Sequence, residues 1–309
     1  EIRRELNALE FEMEYLRENS RGKQSPRSVW RRVLRTGAGR LKLRRLVTAI
    51  SLVAVTIAPN LSRAQNAKPE ARALWVTQYD YDSEAKITRI MDIAARANFN
   101  IIYFQERAAG DAFYRSQIEP CAALLCGKLG GTPAYDPLEV AVREGHKRGL
   151  QVHAYLNALT GRSAQSRREC MPMPEPDSGN PRHFLLDHPE WVMSDRTGRR
   201  LPCPNSEEYV WVSPAYPEVR SRLAHVAADI ARRYDIDGIH LDRIRYPGNA
   251  WSWDSASRAG FGKDPAQYPR QWKAYRTGLV NSMVRETYDS MTAVKSSLVL
   301  SAAGWGIYD

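Results

Sequence analysis

The segment DGIHLDRIRYP, residues 237–247, combines two acids, a histidine and two arginines with a short apolar run. Side chains of a strand alternate between its two faces, so His240 and Asp242 share one face and the aliphatic residues between them share the other. A carboxylate at this strand end, Asp242, has the chemistry of a nucleophile or of a group that stabilises a cationic transition state. Arg243 and Arg245 bring positive charge to it. An ion pair that only secures the strand end is the competing interpretation.

Two further segments place polar side chains at every second position of an apolar run. In a strand such residues fall on one face, where a purely structural strand carries aliphatic groups. Any one of them alone is better explained as a satisfied polar residue of the core. Three segments whose polar groups converge on one mouth predict a binding site instead. The two sets are His153, Tyr155 and Asn157, and Tyr103, Gln105 and Arg107.

The elements that position these residues alternate along the chain, which predicts an α/β fold with parallel strands and right-handed crossovers. No glycine-rich phosphate loop follows any strand, which argues against a nucleotide-binding doubly wound sheet. Polar residues concentrate at the carboxyl ends of the strands, as in a (β/α)8 TIM-type barrel. The predicted strands are 72–78, 100–105, 150–157, 236–244 and 297–304, and the predicted helices are 83–98, 136–149, 216–235 and 269–295.

The barrel is expected to be truncated after its fifth strand. A complete barrel needs roughly 250 residues, and long loops, including 108–136 and 158–213, take up much of the chain. Residues 72–309 are therefore predicted to be the N-terminal part of a barrel.

The N-terminal segment carries most of the basic excess of a chain whose formal net charge is +10. Residues 1–64 have a net charge of +8 and the remainder +2, which removes the main support for nucleic-acid binding. Basic residues followed by a thirteen-residue apolar run predict a signal peptide at 41–64, since the run is too short to span a bilayer. The expectation is an exported, periplasmic or extracellular protein with no stable membrane span after cleavage. Residues 1–40 are expected to be an upstream or mis-started segment, and 65–71 a linker.

Four cysteines follow the predicted signal peptide, and an even number in an exported protein favours two disulfides. Pairing of sequence neighbours is one of three possible connectivities. A zinc site is the alternative, although the spacing is poor for one. The residues are Cys121, Cys126, Cys170 and Cys203.

The segments RALWV, NIIYFQERAAGDAFYRS, GTPAYDPLEVAVREGHKRGLQVHAYLN, HPEWV and YDIDGIHLDRIRYP resemble the glycosyl hydrolase-like family 10 of bacterial exported proteins over residues 70–309. The resemblance implies a barrel glycosidase without a cofactor, with Asp242 as its strand-end acid. It also implies action on a cell-envelope polysaccharide such as peptidoglycan glycan strands stripped of peptides. The implied substrate-binding residues are Gln105, Arg107, Asp111, His153, Asn157, His240 and Tyr246, and Arg245 is a further candidate contact because it lies beside Asp242.

The sequence departs from the family pattern where many relatives have a second acid, because Arg243 follows Asp242. Glycosidases generally use two carboxyl groups, and the second is expected on a later strand. Glu106 and Asp111 are the weaker candidates within the chain. A sugar-binding barrel without catalysis is one alternative function. A metal-dependent hydrolase using His153, His240 and Asp242 is another.

Overall fold

A five-stranded parallel sheet forms the centre of the fold in the computed structural model. The structure describes residues 70–163, 181–200 and 209–304. The predicted upstream and signal segments and residues 65–69 of the linker lie outside these ranges, so those assignments stay predictions. The strands in chain order are β1 (Ala73–Val76), β2 (Ile101–Arg107), β3 (Gln151–Asn157), β4 (Thr160–Ser163), β5 (Tyr209–Trp211), β6 (Gly238–Asp242) and β7 (Val299–Ala302).

Helices connect the parallel strands, and most begin at a residue that the sequence marks as a helix start. Asp136 accepts a hydrogen bond from the Glu139 backbone N–H at 3.2 Å, and proline occupies the first turn of the helix that follows. Within the described ranges, no helix is long and apolar enough to cross a bilayer. The helices are α1 (Glu84–Arg96), α2 (Ala123–Cys126), α3 (Pro137–His146), α4 (Phe184–Asp187), α5 (Pro217–Arg233), α6 (Ser255–Phe261) and α7 (Pro269–Val294), with a 3-10 turn at Pro189–Trp191.

The strand order of the sheet is β1-β2-β3-β6-β7, so its neighbours follow the order of the chain. All four pairings are parallel. A doubly wound sheet reverses direction at a switch point, whereas the strands of a barrel follow one another in one direction. The predicted α/β class with a parallel sheet is confirmed. Closure into eight strands and truncation after the fifth stay predictions.

The two faces of the sheet differ in chemistry, as the alternation predicts. Ile102, Val152 and Ile239 have no exposed surface and belong to the main hydrophobic core. Helix α3 packs on this face so closely that a Cβ atom on Gly145 would lie 2.6 Å from a methyl of Val152. The opposite face carries the polar and aromatic side chains.

A short two-stranded antiparallel sheet, β4 with β5, lies in the stretch that the sequence predicts to be irregular. Its strands are only four and three residues long and lie far apart in the chain. Trp211, the last residue of β5, is almost completely buried. Strands this short, separated this far, give no usable alternation signal, which explains the difference.

A β-bulge interrupts β2 near its carboxyl end. Gln105 pairs with Tyr155, but Arg107 pairs with Leu156, which leaves Glu106 as the extra residue. The predicted common face of Tyr103, Gln105 and Arg107 is therefore wrong for Arg107. The extra residue reverses the alternation beyond it.

Two glycines give opposite expectations for alanine substitution. A Cβ on Gly238 would lie 2.5 Å from the Val299 carbonyl oxygen and 2.6 Å from His153 Nδ1, whereas one on Gly278 in α7 meets nothing within 4 Å. We expect Gly238→Ala to lower the free energy of unfolding by about 1–3 kcal/mol. Gly278→Ala should raise it by about 0.5–1 kcal/mol, because alanine loses less entropy in a helix. Urea unfolding of both variants measures this, and a neutral Gly238→Ala would contradict the packing described.

Candidate active site

The polar face of the sheet is organised in rows set by strand register. In the first row, Tyr103 pairs with His153 and His153 with Gly238. The second and third rows lie nearer the carboxyl ends of the strands, where parallel-sheet sites are built. They consist of Gln105, Tyr155, His240 and Ser301, and of Asn157 and Asp242.

His240 is held by rings on one side and by a hydroxyl on the other. Its imidazole stacks on Tyr103 with centroids 3.9 Å apart, and Trp75 meets it edge-on at 5.4 Å. Its Nδ1 lies 2.8 Å from the Ser301 hydroxyl, while Nε2 has no hydrogen-bond partner within the described ranges. Burial lowers the pKa of His240 to about 4, against the opposing effect of Asp242. The ring is therefore neutral near pH 7.

His153 lies one row closer than His240 to the amino ends of the strands. Neither of its nitrogens has a hydrogen-bond partner in the part of the chain that the structure describes. The absence of a side chain on Gly238 makes room for the imidazole. Burial lowers the pKa of His153 as well, although the negative charge of Asp237 opposes the shift. Two neutral imidazoles thus line the centre of the face.

The carboxylate of Asp242 is oriented by three donors. The Tyr155 hydroxyl donates to Oδ2 at 3.1 Å, and the Arg243 backbone N–H donates to Oδ1 at 2.6 Å. An Nη of Arg245 lies 3.5 Å from Oδ1. The Asp242 side chain is 22% exposed, so it is both fixed and accessible. Burial first, and then the nearby Asp242 carboxylate, raise the pKa of Tyr155, which keeps the phenol protonated as a donor.

Two predicted contact residues lie at the same end of the sheet. The amide nitrogen of Asn157 donates to the Ala108 carbonyl at 3.0 Å, and its oxygen has no partner among the described residues. The Gln105 side-chain oxygen accepts from the Gln78 backbone N–H at 3.0 Å. Both side chains are buried and secure the loops that follow β1 and β2.

Arg107 does not take the place expected for a substrate contact. Its guanidinium forms a buried ion pair with Glu119 at 2.9 Å and donates to the carbonyls of Asn157 and Thr160. Burial opposes ionisation of Glu119, but Arg107 and Arg222 outweigh it and lower the pKa of that carboxyl. Because of the bulge at Glu106, the Arg107 side chain links the loop after β2 to the loop after β3.

Tyr246 also turns away from the open face. Its hydroxyl donates to the Arg276 carbonyl at 3.3 Å, and the Arg276 guanidinium lies 4.0 Å from its ring centre. Burial raises the pKa of Tyr246 to about 12. This tyrosine fastens the loop after β6 to α7.

Asp111 and Glu106, the candidates for a second carboxyl, have different surroundings. Asp111 lies in the loop after β2, where its Oδ1 accepts the Ala109 backbone N–H at 2.8 Å, and burial raises its pKa to about 6. Glu106 has no exposed surface, and neither oxygen has a partner in the described ranges. Burial, with Asp136 adding to it, raises the pKa of Glu106 well above its usual range. A carboxyl enclosed in this way cannot transfer a proton directly to a bound sugar.

Cys121 and Cys126 form a disulfide, while Cys170 and Cys203 lie outside the described residues. Among the residues described, no three His, Cys, Asp or Glu side chains converge as metal ligands. The three proposed for a metal-dependent hydrolase are therefore not arranged as a ligand set.

Sequence reasoning left out two residues of this face, Trp75 and Ser301, and named Tyr103 and Tyr155 only as members of the polar sets. The alternation placed Tyr155 in one row with His153 and Asn157, but it gave no sign that the phenol donates to Asp242. Trp75 could be recognised only from strand register, because it touches the site through the ring of His240. Ser301 is a small residue on the fifth parallel strand, and nothing in the sequence singles it out.

Residues 70–309 match the family described as glycosyl hydrolase-like 10. The glycosyl hydrolase YngK of Bacillus subtilis (strain 168) is 26% identical over 282 residues, covering 86% of this chain and 51% of YngK. The glycosyl hydrolase DigH of Escherichia coli (strain K12) is 27% identical over 188 residues, covering 61% of this chain and 39% of DigH. The chain thus spans about half, or less, of the length of these relatives.

Two solved structures share the fold. The α-L-fucosidase isoenzyme 2 of Paenibacillus thiaminolyticus has a TM-score of 0.55 and 15% identity, covering 76% of this chain and 33% of the fucosidase. The glycoside hydrolase domain of PgaB (BpsB) from Bordetella bronchiseptica has a TM-score of 0.54 and 14% identity, covering 76% of this chain and 65% of that domain. At such identities the likeness shows the fold alone, an α/β fold with a parallel sheet.

The burial of Glu106 predicts a pH-dependent stability. Its raised pKa means that the folded state keeps a proton which the unfolded state releases above about pH 4.5. The free energy of unfolding should therefore fall as the pH rises from about 4.5 towards the folded-state pKa, by up to about 1.4 kcal/mol per pH unit. Glu106→Gln should remove this decline, because an amide stays neutral.

Urea unfolding between pH 4 and pH 8 measures the difference between wild type and variant. Glu139→Gln, at an exposed position in the first turn of α3, is the control for loss of a carboxyl. Parallel pH profiles for wild type and Glu106→Gln would refute a protonated Glu106.

Proposed function

The chain belongs to the glycosyl hydrolase-like 10 family, and we propose that it hydrolyses glycosidic bonds with Asp242 as nucleophile or transition-state stabiliser. The observation that carries the proposal is a single accessible carboxylate, held by three donors at the carboxyl end of a parallel strand. A carboxylate so placed can attack an anomeric carbon or stabilise an oxocarbenium-like transition state. The phenol of Tyr155 and the Arg243 N–H fix its direction, which a reaction of defined geometry requires.

The walls of the site suit a sugar. Trp75, Tyr103 and Tyr155 present ring faces or edges around His240, and the two imidazoles add nitrogens without charge. Trp75 is 49% exposed, so part of an apolar ring face is open to a ligand. Apolar faces with a few polar groups are typical of small-molecule sites.

The proposed substrate is a cell-envelope polysaccharide such as peptidoglycan glycan strands. The export signal predicted at 41–64 supports a substrate outside the cytoplasm, and the glycosyl hydrolase names of YngK and DigH support a glycan. A glycan-binding protein without catalysis is the second candidate. The enclosure of Glu106 favours it, because this leaves Asp111 as the remaining candidate partner that the sequence offers in the described chain.

Substitution of Asp242 tests the reaction. Asp242→Asn keeps the shape of the side chain but removes its negative charge, so release of reducing ends from denuded peptidoglycan by the full chain should fall at least roughly a hundredfold. Asp289→Asn, on an exposed part of α7, is the isosteric control and should keep the wild-type rate. Undiminished release by Asp242→Asn would remove Asp242 from the mechanism. Binding of strands by wild type without any release would support the second candidate.

Tyr155→Phe tests the orientation of Asp242. The variant keeps the ring beside His240 but removes the donor to Oδ2, so kcat should fall roughly tenfold or more while KM changes by less than about twofold. Tyr234→Phe is the matched control, since it also removes a phenol that donates to a carboxylate, that of Asp136 at 2.6 Å. It should reduce stability and leave kcat in place. Equal effects of both variants on kcat would refute a specific role for Tyr155.

A further inference from the structure

Ser301 lies beside His240 on the neighbouring strand and in register with it. The two residues pair across β6 and β7, and the Ser301 hydroxyl lies 2.8 Å from Nδ1 of His240. Among the described residues, neither side chain forms any other hydrogen bond. The orientation of the imidazole therefore depends on a single polar contact, made by a residue that the sequence does not single out.

Aromatic packing fixes the plane of the His240 ring but not which of its edges faces β7. The ring stacks on Tyr103 with 11° between the two planes, and Trp75 and Tyr155 meet it at steep angles of 66° and 73°. A half turn about the Cβ–Cγ bond keeps this plane and exchanges Nδ1 with a carbon of nearly the same size. Packing therefore hardly distinguishes the two orientations, whereas the Ser301 hydroxyl can form its hydrogen bond only with the nitrogen.

The same hydrogen bond determines which nitrogen of the neutral ring carries the proton. Among the described residues, Nδ1 of His240 is the one acceptor within reach of the Ser301 hydroxyl, and it can accept only through its lone pair. With that lone pair engaged, the proton of the neutral imidazole lies on Nε2. The rings around the imidazole favour this tautomer, because aromatic faces are negative and attract an N–H rather than a lone pair. His240 thus has no free basic nitrogen.

His240 contacts the residue that orients the proposed catalytic carboxylate. It pairs with Tyr155 across β3 and β6, and the centres of the two rings lie 6.0 Å apart. The Tyr155 hydroxyl donates to Asp242 at 3.1 Å. The imidazole therefore supports the phenol from the side of β6, and a flipped or tilted imidazole would change the direction from which the phenol meets Asp242.

We propose that Ser301 is a positioning residue, which fixes the orientation and the tautomer of His240 and, through that ring, the Tyr155 donor of Asp242. The inference rests on the proposed function and adds to it a residue that acts without substrate contact. It also gives His240 a supporting role rather than that of a general base, because Nδ1 is engaged by Ser301 and Nε2 carries the proton.

NMR of the full chain with ¹⁵N-labelled histidine measures the tautomer directly, near neutral pH and without substrate. The chain has six histidines, so the His240 signals are assigned by their absence from the spectrum of His240→Gln. We expect a protonated Nε2 and an unprotonated Nδ1 in the wild type, and a mixture of both tautomers in Ser301→Ala. A protonated Nδ1 in the wild type, or an unchanged tautomer in Ser301→Ala, would overturn the proposal.

Kinetics on denuded peptidoglycan strands test the link to Asp242. Ser301→Ala should lower kcat about fivefold, the effect of losing one neutral hydrogen bond, and should change KM by less than about twofold. Ser301→Thr keeps a hydroxyl and should keep most of the rate. Ser221→Ala is the matched control, since it removes a serine hydroxyl that donates to the Glu218 carbonyl of its own helix at 3.2 Å. It should keep the wild-type kcat.

A double-mutant cycle with Tyr155→Phe shows whether Ser301 acts through the phenol. If it does, Ser301→Ala lowers kcat by less than about twofold once the phenol is absent. The full fivefold effect in both backgrounds, or an unchanged kcat in Ser301→Ala, would contradict the positioning role. A wild type that binds strands without hydrolysing them would remove the proposed function, while the NMR spectra would still decide whether Ser301 fixes His240.

Discussion

The pairing register of β3 with β6 connects the fold to the chemistry. It sets His240 opposite Tyr155 and Asp242 opposite Asn157, which brings the Tyr155 hydroxyl within hydrogen-bond distance of the Asp242 carboxylate. A slip of one residue would exchange the two faces of β6 and send Asp242 towards the helices. The apolar face prevents this, because Leu241 would then leave the core in which it is wholly buried. Hydrophobic burial thus fixes the position of a polar group that contributes nothing to that burial.

The alternation of apolar and polar residues, together with the residues that begin and end helices, made most of this sheet predictable from the sequence. The predicted strands and crossover helices correspond to the observed ones with small differences at their ends, and the polar positions of β3 and β6 were identified by period-two spacing. The same rule failed at Arg107, because the bulge at Glu106 inserts one residue and reverses the alternation after it. A bulge is a tertiary feature with no local signature here. The ring stack on His240 and the pairing of β4 with β5 could not be predicted from the sequence either, because both join residues that lie far apart in the chain.

The charge of the face follows from burial more than from composition. Desolvation keeps His153 and His240 neutral, and it keeps the Tyr155 phenol protonated. The centre of the face is therefore polar without being ionic. Among the described residues of this face, Asp242 and Arg245 carry charge at the rim, where both are partly exposed to solvent and lie against each other. The face thus presents uncharged hydrogen-bonding groups at its centre and charged groups at the carboxyl end of β6.

Burial also separates the carboxyl groups near this end of the sheet into different roles. Glu119 is enclosed but neutralised by Arg107 and Arg222, so it acts as a structural anion. Glu106 is enclosed without such a partner among the described residues. Its raised pKa means that a bound proton, and not a cation, neutralises the carboxyl. Asp242 alone of these three combines solvent access with donors that orient both of its oxygens. A carboxylate nucleophile must be accessible to its substrate, and its oxygens must not be held in an ion pair with a buried cation. Of these three carboxyls, Asp242 is the one that meets both requirements, which is why it is the residue proposed as nucleophile or stabiliser.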